Sequence, residues 1–159
     1  VTIALADEVL RLAVSAGATV TTAESCTGGM VAAAITDIAG SSSAFERGFV
    51  TYSNQAKIDM LGVSPATLDA YGAVSENVAR EMALGARAAA KSDVAVSISG
   101  IAGPGGSEFK PEGRVCFGLA TAQGVKTKTI EFGALGRANV RTAARDEALT
   151  LLATGLRTL

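Results

Sequence analysis

Histidine does not occur anywhere in this chain of 159 residues. That removes the Ser-His-Asp and Cys-His routes to a nucleophile, and imidazole metal ligands with them. Any general base must be Lys, Asp, Glu, Tyr or water. Tryptophan is also missing and aromatics make up only 4%, so the core must be built from Ala, Val, Ile and Leu. Two cysteines, Cys26 and Cys116, stand far apart and form no CxxC pair. No zinc site or disulfide framework is expected, and a reduced, cytoplasmic setting fits. Charged residues are 18% and net charge is −1, with Lys and Arg scattered. No basic stripe marks a nucleic-acid partner. No charged-then-apolar leader opens the chain and no run of about 18 apolar residues appears, so no membrane association is expected. A small charged content on an Ala-rich chain points to buried helix faces or contacts between copies, hence a homo-oligomer.

Glycine is plentiful, with 18 residues, and it punctuates the pattern. Ile3, Ala6, Val9, Leu10 and Ala13 recur at helical spacing, predicting a helix over residues 3–16 that stops at Gly17. Residues 18–23 read as a strand and 30–38 as a helix. Residues 45–52 read as a strand, and Ser53-Asn54 caps a helix over 55–61. Ser64-Pro65 opens a short helix to about residue 71, and Ser75 caps a long one to about 91. In residues 93–99, Val94, Val96 and Ile98 alternate with small residues, as suits a strand covered on both faces. Residues 114–121 and 125–132 read as a hairpin, and 137–158 as a closing helix. This order predicts one α/β domain over residues 1–159, a mixed β-sheet flanked by helices.

Two strands run into glycine-rich turns. The first turn is Glu24-Ser-Cys-Thr-Gly-Gly29. A sharp strand-to-helix turn exposes its side chains at the sheet edge and aims the first helical N–H groups at whatever binds there. A hydroxyl in it can attack a carbonyl while neighbouring N–H groups hold the oxyanion. The geometry is like a nucleophile elbow, although GxSxG is absent. Ser25, Cys26 and Thr27 are all candidates; the plainer alternative is a helix cap, with Ser25 or Thr27 bonding the first turn. The second turn, Ser99-Gly-Ile-Ala-Gly-Pro-Gly-Gly106, is neither a Walker loop nor a dinucleotide fingerprint. It is either a cradle of backbone amides for a ligand or a long tight turn.

Tyr52 ends its strand, and Lys57 falls in the first turn of the next helix if Asn54 is the cap. A helix N-terminus disfavours an ammonium and burial disfavours it further, so Lys57 is a candidate neutral base. The alternative is a solvated lysine beside a rim tyrosine.

TTAESCTGG, FERGFVTYSNQAK, GAVS and SISGIAGPGG, in that order, resemble the C-terminal domain of the competence/damage-inducible CinA proteins. The likeness covers nearly the whole chain. Stand-alone versions of that domain are nicotinamide-nucleotide amidohydrolases, and the lack of a molybdopterin-binding-like N-terminal domain resembles that form. The resemblance implies a metal- and cofactor-free Ser-Lys hydrolase on an α/β fold, with Ser25 as nucleophile, Lys57 as general base and Tyr52 nearby. The implied reaction converts nicotinamide mononucleotide to nicotinate mononucleotide and ammonia. N–H groups around Cys26, Thr27 and Gly28 are the expected oxyanion hole. Gly100, Ile101, Ala102 and Gly103 are expected at ribose or phosphate. Arg141 resembles a recurrent family arginine that would bind phosphate; otherwise it is a surface charge. A non-catalytic nucleotide-binding or interaction module is the competing expectation.

Overall fold

A computed structural model describes residues 1–107 and 109–159. Helix α1 (Thr2–Ala16) ends at Gly17 in the left-handed conformation, as its sequence pattern predicts. Strand β1 (Val20–Glu24) leads through the Ser25 turn into α2 (Met30–Thr36). A two-residue strand, β2 (Phe49–Val50), precedes α3 (Asn54–Leu61), α4 (Pro65–Tyr71) and α5 (Glu76–Ala90). Strands β3 (Val94–Gly100), β4 (Arg114–Thr121) and β5 (Gly124–Glu131) follow, and α6 (Arg137–Arg157) closes the chain.

Among the described residues the five strands form one mixed sheet of order β2-β1-β3-β4-β5. β1 pairs parallel with β2 and with β3, whereas β3–β4 and β4–β5 are antiparallel. Helices α1, α2 and α6 cover one face and α3, α4 and α5 the other. The alternation in β3 sorts its side chains between these layers. Val94, Val96 and Ile98 join the core under α1, α2 and α6. On the other face Ala95 is small, and the Ser97 hydroxyl donates to the Ala79 carbonyl of α5, so that helix backbone lies close on the sheet. Gly85 does the same between helices: a Cβ there would sit 1.8 Å from the Leu61 carbonyl oxygen. Only glycine lets α5 seat the C-terminal end of α3.

The expected strand over residues 45–52 shrinks to Phe49–Val50. Phe45 makes one isolated parallel bridge with Val20, and between them the Thr21 hydroxyl donates to the Arg47 carbonyl. A side chain there takes the place of ladder pairing. The α3 cap is Ser53, whose hydroxyl accepts from the Ala56 N–H; Asn54 stands inside the first turn. No helix of the described residues is long and apolar enough to cross a membrane.

Candidate active site

Three parallel strands end at one edge of the sheet, the place where open α/β sheets bind ligands. β1 delivers Ser25, β2 delivers Thr51 and Tyr52, and β3 delivers the loop from Gly100. Ser25 extends the β1–β3 register by one residue, its N–H donating to the Ile98 carbonyl. A cavity of about 330 Å³ opens there, lined by Ser25, Cys26 and Lys57 below and by the Gly100–Ser107 loop, Tyr52 and Arg137 above. Ala73 and Val74, from the GAVS stretch, form one wall. They are fixed by Ser99, which donates to the Ala73 carbonyl, and by Lys110, which donates to the carbonyls of Tyr71 and Val74.

Lys57 is 1% exposed, yet among the described residues its side chain is held by neutral groups alone. Its Nζ lies 2.9 Å from Ser25 Oγ, 2.8 Å from the Thr51 carbonyl oxygen and 3.2 Å from that of Tyr52. Carbonyl oxygens can only accept. A neutral amine therefore spends both N–H groups on Thr51 and Tyr52, and its lone pair is left facing the Ser25 hydroxyl. That is the arrangement of a general base beside its nucleophile. Burial pushes the Lys57 ammonium down from 10.5 to about 8, so a usable share of amine exists near neutrality.

Cys26 also lines the cavity, but burial pushes its thiol from 9.0 up to about 11. It stays protonated at neutral pH and is a poor nucleophile.

The sequence singled out no role for Glu24, the residue before Ser25. Its carboxylate is fully buried. It accepts from the hydroxyls of Thr22 and Thr27 and from the N–H groups of Gly29, Val31 and Ala32. The start of α2 is therefore satisfied from within, and these amides do not point at a ligand as the elbow picture expects. Gly28 and Gly29 have φ of 58° and 106°, which lets the chain fold back onto Glu24. The clue in the sequence is a lone acid in an otherwise uncharged VTTAESCTGG stretch.

The expected binding residues divide in two. Cys26, Gly100, Ile101, Ala102 and Gly103 line the cavity; Thr27, Gly28 and Arg141 do not. Thr27 is buried and bonded to Glu24. The Gly28 N–H donates to the Ser25 carbonyl at 3.1 Å, whereas the Cys26 and Thr27 amides donate to no backbone carbonyl among the described residues. Arg141 donates to the carbonyls of Cys26 and Thr27 at 3.0 and 3.3 Å, clamping the turn from behind. The arginine at the cavity is Arg137, one helical turn earlier. Its Nη1 donates to the Gly103 carbonyl at 2.7 Å and its Nη2 to the Tyr52 hydroxyl at 2.8 Å. What Tyr52 offers Lys57 is its carbonyl, while its ring stands at the mouth. Among the described residues no group of three or more His, Cys, Asp or Glu is placed to hold a metal ion.

Several known proteins share this fold and sequence. The chain is 65% identical over 121 residues to the nicotinamide-nucleotide amidohydrolase PncC of Escherichia coli (strain K12), covering 76% of this chain and 73% of that protein. A CinA-like protein of Shewanella sp. (strain W3-18-1) is 48% identical over 149 residues, 93% of this chain but 35% of that longer protein. The crystal structure of the competence/damage inducible protein CihA from Agrobacterium tumefaciens superposes with a TM-score of 0.93 at 44% identity, covering 97% of this chain and 94% of that one. A CinA superfamily protein from Klebsiella pneumoniae 700603 superposes at 0.95 with 36% identity, covering 100% and 99%. Residues 2–156 match the CinA C-terminal domain model, and the chain belongs to that family.

Proposed function

We propose that this chain hydrolyses the carboxamide of nicotinamide mononucleotide, giving nicotinate mononucleotide and ammonia, as a step of pyridine-nucleotide recycling. The observation that carries the proposal is the contact between Lys57 Nζ and Ser25 Oγ at 2.9 Å, in a protein 65% identical to a nicotinamide-nucleotide amidohydrolase.

The neutral Lys57 amine takes the Ser25 proton as Oγ attacks the amide carbon. The oxyanion so formed is held by the backbone N–H groups of Cys26 and Thr27. Lys57, now an ammonium, returns the proton to the departing nitrogen. The C–N bond breaks, ammonia leaves, and the nicotinoyl group stays as an ester on Ser25. Lys57 then deprotonates a water molecule that attacks the ester, and the released alkoxide of Ser25 takes the proton back. Water is consumed once and the enzyme is regenerated. The carbonyls of Thr51 and Tyr52 keep the Lys57 lone pair aimed at Oγ through both halves.

This activity belongs in the cytoplasm, and low charge with exposed apolar side chains such as Val50, Met60 and Leu84 supports a homo-oligomer. The test is direct. Purified protein incubated with nicotinamide mononucleotide should release ammonia and nicotinate mononucleotide in equal amounts. Binding of the nucleotide with no turnover would instead favour a non-catalytic binding module.

A further inference from the structure

The Ser25–Lys57 chemistry makes no use of Lys110, although that side chain joins two walls of the cavity. One wall is Ala73 and Val74, in the link between α4 and α5; another is the Gly100–Ser107 loop after β3. Every carbonyl from Tyr71 to Val74 accepts from a side chain. Ser75 donates to Gly72, Ser99 to Ala73, and the Lys110 ammonium to both Tyr71 and Val74, at 2.7 and 2.6 Å. Ser75 caps α5 and Ser99 lies in β3, so those two hold the link to the frame of the fold. Lys110 holds it to the loop. Its backbone exchanges two hydrogen bonds with Ser107, at 2.9 and 2.8 Å, and Ser107 lines the cavity. Gly106 passes so close that a Cβ there would sit 2.3 Å from the Lys110 carbonyl oxygen. On its other side the loop is held by Glu112, which accepts from the N–H groups of Gly105 and of Gly136 at the start of α6. Phe109 has a φ of 63° and a fully exposed ring, so packing of that ring does not hold the turn.

We propose that Lys110 is a positioning residue: its ammonium straps the β3 loop to the α4–α5 link and sets the width of the cavity before substrate enters. This rests on the site being a nucleotide amidohydrolase, and it adds a residue that acts through two walls rather than by touching the substrate. A charged donor makes a stronger hydrogen bond to a carbonyl than a neutral one. Tyr71 ends α4, where orphan carbonyls favour a cation. Neither wall carries Lys57, and Ser25 is held from β1, so releasing the strap leaves the reacting pair as it is. A released loop spends part of its time away from the link. Apparent affinity falls by the fraction of time that the cavity keeps its width, whereas the bound complex reacts as before. Loss of the strap therefore raises KM and leaves kcat nearly unchanged.

The experiment compares wild type, Lys110→Met and Lys110→Arg. Methionine keeps an unbranched stem and removes every donor; arginine keeps the charge and enough N–H groups for two carbonyls. With nicotinamide mononucleotide the Met variant should raise KM about tenfold while kcat stays within about twofold. The Arg variant should recover most of that loss. A second arm needs no turnover: hydrogen exchange over residues 72–75 and 101–107 should run at least about threefold faster in the Met variant, with β1 and β3 unchanged. An unchanged KM in the Met variant would overturn the proposal. So would a raised KM with unchanged exchange, because Lys110 would then touch the substrate instead of holding the wall. A purely structural role would lower kcat together with the melting temperature and speed exchange in β1 and β3 as well, which also overturns it. No amide hydrolysis by wild type, together with Lys110-dependent exchange, would sink the amidohydrolase reading and leave the strap standing.

Discussion

Lys57 Nζ lies 2.9 Å from Ser25 Oγ, across the boundary between the end of β1 and the first turns of α3. Burial sets the charge of this amine, and the charge sets the pH at which it works. Lys57 must be neutral to take a proton, and it is brought down to about 8. The expected kcat/KM therefore rises about tenfold per pH unit below that value and levels off above it. Lys57→Ala should lower kcat by about a thousandfold or more. Lys57→Arg should fare no better, because a guanidinium stays charged. A profile that falls as pH rises from 6 to 8 would contradict a lysine base.

The same burial links stability to pH. The folded value is about 8 and the ordinary value is 10.5. Between them the unfolded chain keeps a proton that folded Lys57 gives up, so stability from this group rises with pH across that window and is lowest below 8. Lys57→Met lacks this dependence. Urea denaturation of both proteins at pH 7 and pH 9.5 should show the difference moving in favour of wild type by about 2 kcal/mol. No movement, or movement the other way, would mean that Lys57 is not forced toward neutrality by the fold.

The order of elements was readable because Gly17, Ser53, Pro65 and Ser75 mark their ends with ordinary capping chemistry. The two glycine-rich turns were readable as places where a ligand could approach. Their meeting was not, since it depends on β1, β2 and β3 ending at one edge. Glu24 escaped because three of its five partners are backbone amides at the start of the next helix, and its one trace in the sequence is that it is the lone acid of an otherwise uncharged stretch. Arg137 and Arg141 lie four residues apart on one helix. Sequence alone gives no reason why one reaches the cavity and the other clamps the carbonyls of Cys26 and Thr27.

Glu24 anchors the turn that carries Ser25, the proposed nucleophile. Glu24→Gln would aim an amide donor at groups that already donate, namely the Gly29, Val31 and Ala32 N–H groups and the Thr22 and Thr27 hydroxyls. A loss of about 2–4 kcal/mol in stability is expected. A displaced Ser25 should cost about 10- to 100-fold in kcat with KM little changed. Calorimetry with steady-state kinetics checks both, and a variant with wild-type melting and kcat would show that Glu24 is not the anchor.

Cys26 stands next to the proposed nucleophile and is nonetheless expected to be dispensable. With the thiol at about 11, N-ethylmaleimide should modify it slowly at pH 7.5. Cys26→Ala should keep kcat within about threefold while losing about 1 kcal/mol of packing. Inactivation of that variant alongside a normal fold would return Cys26 to the chemistry.

The most direct test of the serine mechanism is ammonia release from nicotinamide mononucleotide by Ser25→Ala protein whose fold is checked by its circular dichroism and melting curve. Release should drop to the uncatalysed background while Lys57 and the rest of the cavity remain in place. Ammonia release at the wild-type rate from folded Ser25→Ala protein would contradict the assignment of Ser25 as the nucleophile.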